Sequence, residues 1–324
     1  MPFCGERPTL HRMRLSVGTK CSLLLLVTAG CSATVVDEGD AADGSEQAPQ
    51  ASVAVERTTF VPPDSASPQD RARSHVSALF MKVFGGLDHE LAHQVIGSTD
   101  PSELEAPTGC RSREQPASPP LVEDFGGTIE LVDVGDMILR IDAQAMPLAA
   151  RAFPDVGDIV SGLIYTSRDD SSDLPAGGTY VFESSGSAVM ESFVLQAEAP
   201  SPPEDVKLGG QQLSSDEAAV SAGEPLAISW EPGDGGDRIV VQLDQPSQQD
   251  FTPLRCVFLD DSGGGSVPAH LMDLQPGAEV EVAVHRLRRV EVSYKPAAHG
   301  SEPHRAVVDF DFATVGHAAV VTAD

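Results

Sequence analysis

The chain has 324 residues, a formal net charge of −28, and 41% hydrophobic but only 5% aromatic residues. That acidity excludes nucleic acid, which asks for a basic footprint, and electrostatic adsorption to anionic lipid headgroups. The apolar content is enough for packed cores, and 29 Gly with 25 Pro supply the turns of a β-rich protein.

The N-terminus carries Arg7, Arg12, Arg14 and Lys20 ahead of an apolar run at 22–29. The run is too short for a bilayer, which needs about 20 apolar residues in a helix. A basic head, a short apolar core and small residues describe a cleaved export signal. Thr28-Ala29-Gly30-Cys31 resembles the lipobox of bacterial lipoproteins, with Thr28 where that family usually has Leu. The resemblance implies a diacylglycerol on the Cys31 thiol and a further acyl chain, such as palmitate, on its freed amine. Several chains together anchor durably to a membrane. Ser32, in place of Asp, implies the outer membrane, on its periplasmic or surface face. Residues 1–31 are then the signal peptide, starting at Met1 or Met13, and the chain beyond them carries about −31. The alternative is a non-lipidated secretory signal ending near Ala33. Composition and layout also resemble the uncharacterised lipoproteins of myxobacteria-like genomes.

On that resemblance Cys4 and Cys21 leave with the leader and Cys31 is acylated. Cys110 and Cys256 remain, and an exported compartment permits a disulfide between them. Two separate buried thiols are the other reading.

Residues 32–73 read as a disordered acidic tether. Between Asp37 and Asp70 eight acids face Arg57 alone, with few large apolar residues. The stretch 74–96 is a helical candidate, with Val76, Leu79, Phe80 and Val83 at helical spacing, then Leu87, Leu91 and Val95 after Gly85-Gly86. It contains His89-Glu90-Leu91-Ala92-His93, which fits H-E-x-x-H. On a helix the two imidazoles share a face and could bind Zn²⁺, with Glu90 as general base. Zinc needs a third protein ligand. No His follows at a suitable spacing, and Glu103, Glu105, Glu114 and Glu123 fall in a Pro-rich stretch. An amphipathic surface helix explains the same residues.

From Gly127 the period becomes two. The stretches 128–132 and 137–141 flank Asp133-Val134-Gly135-Asp136 and predict a hairpin. Further strands are expected at 159–165, 179–183 and 190–196, giving a helix-plus-β domain over 74–199. Ala199-Pro200-Ser201-Pro202-Pro203 reads as a linker. Beyond it, Leu226-Ala227-Ile228-Ser229-Trp230-Glu231-Pro232 and Leu274-Gln275-Pro276-Gly277, followed by Val280, Val282 and Val284, resemble a fibronectin type III module. Where that family has the Tyr of its corner hydrogen bond, this chain has Val280. The resemblance covers about 200–314 and implies a fibronectin type III or immunoglobulin-like sandwich over 200–324.

Acid clusters at Asp169-Asp170 with Asp173, Asp234 with Asp237, and Asp260-Asp261 invite calcium but lack the EF-hand order, and turn chemistry explains them. His285-Arg286-Leu287-Arg288-Arg289 is a basic patch that could dock a glycan or acidic partner, or balance nearby acids. No G-x-S-x-G marks a nucleophile. The expectation is a mainly β, membrane-anchored exported lipoprotein with two sandwich-like domains. Its role would be non-catalytic binding or scaffolding of a protein or glycan, without cofactor. The alternative is a zinc-dependent metallopeptidase using His89, Glu90 and His93.

Overall fold

The computed structural model describes residues 49–61, 72–85, 89–96, 107–112, 127–153, 159–167, 174–213, 218–245, 253–296 and 303–323. The chain is mainly β. It begins with β1 (Gln50–Phe60) and β2 (Ala72–Phe84), then helix α1 (His89–Ile96) and β3 (Gly109–Ser112). β4 (Thr128–Leu131), β5 (Met137–Ile141), β6 (Gln144–Ala152), β7 (Val160–Thr166), β8 (Gly178–Ser184) and β9 (Phe193–Ala199) follow. Next come β10 (Lys207–Leu208), β11 (Gln211–Gln212), β12 (Ala219–Ala222), β13 (Leu226–Ser229) and β14 (Arg238–Asp244). β15 (Leu254–Leu259), β16 (Gly264–Val267), β17 (Glu279–Tyr294) and β18 (His304–Thr322) close the sequence of strands.

β17 and β18, of 16 and 19 residues, form one antiparallel hairpin. At about 3.3 Å per residue, β18 is about 60 Å long. The half near the hairpin turn sends Tyr294, Ala306, Val308, Phe310 and Phe312 into a first core. The other half sends Val280, Val282, Val284, Ala318 and Val320 into a second.

In the first core β1 lies parallel to β18, and β2, β4 and β7 extend the sheet from it. β6 changes partners midway, pairing with β5 over Gln144–Leu148 and with β7 over Ala149–Ala152. β5, β8 and β9 thereby fold over the core, and the Phe193 ring meets Tyr294 at 4.7 Å. The second core is a sandwich. β3, β15, β14, β17 and β18 form one face, with β12 parallel to the end of β18, and β11, β10, β13 and β16 form the other.

Four expectations need correction. The helix predicted over 74–96 is strand β2 up to Phe84, and only His89–Ile96 is helical. Val76, Ala78 and Phe80 enter the first core while Met81 and Val83 enter a separate cluster with Ile129 and Leu131 on the opposite face. With both faces apolar the period of two is hidden. The tether predicted over 32–73 yields β1 at 50–60. Ala51, Val53 and Val55 are buried there because β18, some 250 positions away, supplies the partner that local composition does not. The tether's residues 32–48 and 62–71 lie outside the described residues. The 128–141 hairpin does not form, since β4 pairs with β2 and β7 while β5 pairs with β6 and β8. Finally, the division at 199/200 is crossed by β17 and β18, which serve both cores. No helix among the described residues is long and apolar enough to cross a membrane.

Candidate functional site

The leader and Cys31 lie outside the described residues. The backbone of α1 places 89 and 93 one turn apart. Ala92 is fully buried, with Val95 and Ile96 against the Met81–Ile129–Leu131 cluster. The side chains of His89 and Glu90 lie outside the described residues, and His93 is half-buried. Among the described residues no group of three or more His, Cys, Asp or Glu could hold a metal ion. Cys110 on β3 and Cys256 on β15 stand directly opposite each other and are joined by a disulfide, Cα atoms 3.9 Å apart.

The basic run 285–289 is consumed residue by residue. Arg286 points into the protein. Its Nε lies 3.0 Å from Asp260 Oδ2, and Nη2 donates to Asp260 Oδ1 at 3.1 Å. Its other donors reach the carbonyls of Ser201, Pro202 and Glu231 and the Ser201 hydroxyl. Asp260 also accepts from the Gly233 N–H, and its carbonyl accepts from the Trp230 indole at 3.0 Å. The expected linker is therefore held by Arg286 Nη1 rather than hanging free. Arg288 binds Asp237 and Asp234, and the Asp237 bond holds its guanidinium above its usual pKa range. Arg289 makes a two-pronged contact with Asp309, and His285 Nδ1 lies 2.8 Å from Asp311. Asp234, Asp237 and Asp260, considered above for calcium, are thus counter-ions to arginines. Asp169, Asp170 and Asp173 lie outside the described residues.

Other polar side chains serve loops and seams. Tyr165 accepts from the Val134 N–H at 2.8 Å and donates to Asp133 at 2.9 Å. Burial pushes its pKa up to about 12, so it remains a phenol. Ser167 Oγ accepts from the Val76 N–H at 3.2 Å and sits 3.4 Å from His75 Nδ1. Burial, helped by the charge of Lys82, lowers the pKa of His304.

Space for a ligand occurs at the β5–β6 hairpin. A cleft of about 400 Å³ is lined by Leu139, Ile141, Gln144, Ala145, Met146, Pro147 and Leu174. Leu139, Ile141 and Leu174 also belong to the first core, so the cleft opens that core to solvent. Its far wall is pinned: Arg57 Nε donates to the Leu174 carbonyl at 2.9 Å, and the Leu174 N–H donates to Ser74 Oγ at 3.2 Å. The volume falls in the range of ligand pockets. No lining side chain titrates, so this cleft can bind an apolar group but offers no acid, base or nucleophile. Sequence reasoning missed it because the Asp142-Ala143 turn, with Asp142 at φ 51°, lacks the Asn-Gly or Asp-Gly signature of a tight hairpin.

No protein-family profile and no curated protein matches the chain. Among solved structures, the chicken CNTN1 FN1–FN3 domains are similar at 12% identity over 58% of this chain, with a TM-score of 0.17. The chain spans 58% of the length of that structure.

Proposed function

We propose that this protein is an exported lipoprotein, acylated at Cys31 and tethered to a membrane, whose body is a non-catalytic binding or scaffolding module. The observation that carries the binding reading is the strand order of the second core. β13 and β16 lie in one sheet and β15, β14, β17 and β18 in the other, and the connections β13–β14, β15–β16 and β16–β17 cross between them. That order supports reading the second core as a fibronectin type III or immunoglobulin-like sandwich, an architecture that serves recognition through loops and edges. The Cys110–Cys256 bond fits an oxidising compartment. Among the described residues, the basic run and the acids near it are engaged with one another, from Arg286–Asp260 to Arg289–Asp309.

Two measurements test this. Cells expressing the full chain should incorporate labelled palmitate and lose it on Cys31→Ser, with the protein moving to the soluble fraction; an unlabelled wild type overturns the anchor. Metal analysis of the purified protein separates the module from the metallopeptidase that the helical spacing of His89 and His93 keeps in play. Stoichiometric zinc lost on His93→Ala would overturn the non-catalytic reading.

A further inference from the structure

The cleft at the β5–β6 hairpin has a direction as well as a volume. Leu139 pairs with Met146 and Ile141 pairs with Gln144. Residues directly opposite, and residues two apart, share a face, so these four side chains stand on one face in two successive rows. The rows are about 7 Å apart along the strands, at about 3.4 Å per residue. The Leu139–Met146 row is the inner one. Leu139 is buried and Met146 half-buried, while Gln144 is exposed beside the Asp142-Ala143 turn. Apolar side chains therefore line the depth of the cleft, and the one polar side chain among the lining residues, the Gln144 amide, stands at its mouth.

The cleft is preformed. β6 is held by β5 over 144–148 and by β7 over 149–152, and Leu174 is fastened through its carbonyl to Arg57 and through its N–H to Ser74. A preformed apolar space with few polar groups is what small-molecule sites have in common. This lining selects among apolar ligands. It holds no aromatic ring for a planar ligand to stack on. Met146 is unbranched and follows an irregular guest, and Pro147 brings no N–H that a guest would leave unpaired. A dry apolar cavity of about 150 Å³ holds a benzene ring, so about 400 Å³ has room for roughly a dozen chain carbons. Charge constrains the head group. No lining residue is charged, Asp142 is exposed in the adjoining turn, and Arg57 is already bonded to the Leu174 carbonyl and the Thr59 hydroxyl. A carboxylate or phosphate at the mouth meets a like charge, whereas a hydroxyl or amide meets the Gln144 amide, which both donates and accepts.

We propose that the β5–β6 cleft binds a single aliphatic chain with an uncharged polar head, the tail inward against Leu139, Met146 and Leu174 and the head at Gln144. The site belongs to the first core and depends neither on the sandwich nor on Cys31. The test is photolabelling of the full chain, followed by peptide mapping, with dodecanol carrying a diazirine near its terminal carbon. Two sources of chain are compared: the free alcohol, and the same diazirine chain esterified in phosphatidylcholine vesicles. Saturable labelling within 137–148 or at 174 from either source is expected, and the source that labels is the one the cleft uses. Excess plain dodecanol should lower the labelling several-fold, and equal benzyl alcohol or dodecanoate far less. Met146→Glu places a charge at depth, and Gln144→Trp covers the mouth from an exposed position. Each should lower labelling several-fold, with circular dichroism showing which variants are folded. Labelling that does not saturate or spreads along the chain, equal competition by benzyl alcohol, or undiminished labelling of a folded variant overturns the proposal. Labelling is read on Cys31→Ser as well, so that a failed anchor and a failed cleft are told apart.

Discussion

Asp260 and Arg286 form an ion pair with side chains 0% and 2% exposed, and the Arg286 guanidinium also donates to the carbonyls of Ser201 and Glu231. Taking both charges out of water is unfavourable, and their mutual attraction and the hydrogen bonds each makes offset it. Removing one partner leaves the other charged and buried. Arg286→Ala should therefore destabilise the protein by about 3–5 kcal/mol. Arg286→Lys should recover little, because one ammonium cannot reach Ser201, Pro202, Glu231 and Asp260 together. Urea denaturation of the three proteins checks this; a loss below about 1 kcal/mol for Arg286→Ala would show that the pair is not structural.

The Cys110–Cys256 bond closes a loop with a sequence separation of 146. Cross-linking over such a span restricts the unfolded chain, and removing a native bond of this kind lowers stability by about 2–5 kcal/mol. The double variant Cys110→Ala, Cys256→Ala should show that loss in denaturant. Reductant should weaken the wild type and leave the double variant unchanged; identical midpoints for oxidised wild type and variant would contradict the account.

His304 supplies a pH dependence. Its folded pKa lies below the unfolded value of about 6.5, through burial first and the Lys82 charge second. The folded state thus binds fewer protons than the unfolded state in the window below about 6.5. Its contribution is complete above that pH and is lost as pH falls through the depressed folded pKa. The informative measurement is the difference between wild type and His304→Gln, in which every other group is shared. The variant should lose less stability between pH 7.5 and pH 5.5, and an equal loss would refute the assignment.

What the sequence made legible followed from local signals. Val280, Val282 and Val284 alternate cleanly because the other face of that strand half is mostly less apolar, and Trp230 follows its strand as the sandwich resemblance implied. What it hid depended on partners far along the chain. β1 looked like solvated tether because Glu56 and Arg57 interrupt it, yet ten consecutive residues pair with β18. β2 looked helical because Leu79, Met81 and Val83 are apolar on the face opposite Val76 and Phe80. The basic run 285–289 was legible as charge but not as four separate fates, since pairing with Asp311, Asp260, Asp237 or Asp309 is set by strand register. The β5–β6 cleft left no signal, because its residues are ordinary core types at a hairpin with an atypical turn.

The junction between β4 and β7 gives the last prediction. Gly162 lies opposite Leu131 in this parallel pair and has φ 124°, a conformation that side-chain-bearing residues rarely adopt. A Cβ there would stand 1.9 Å from the Leu131 carbonyl oxygen, which is main chain and cannot swing aside. Leu131 and Val160 flank this contact in the cluster that also takes Ala92 of α1, so separating the strands disturbs the helix carrying His93. Gly162→Ala should thus destabilise by more than the roughly 1 kcal/mol typical of a point substitution. Hydrogen exchange should localise the loss to β4, β7 and α1 while β13 and β16 keep their protection. If β13 and β16 were exposed to the same extent, the two cores would have to unfold as one unit and the contact would not be local.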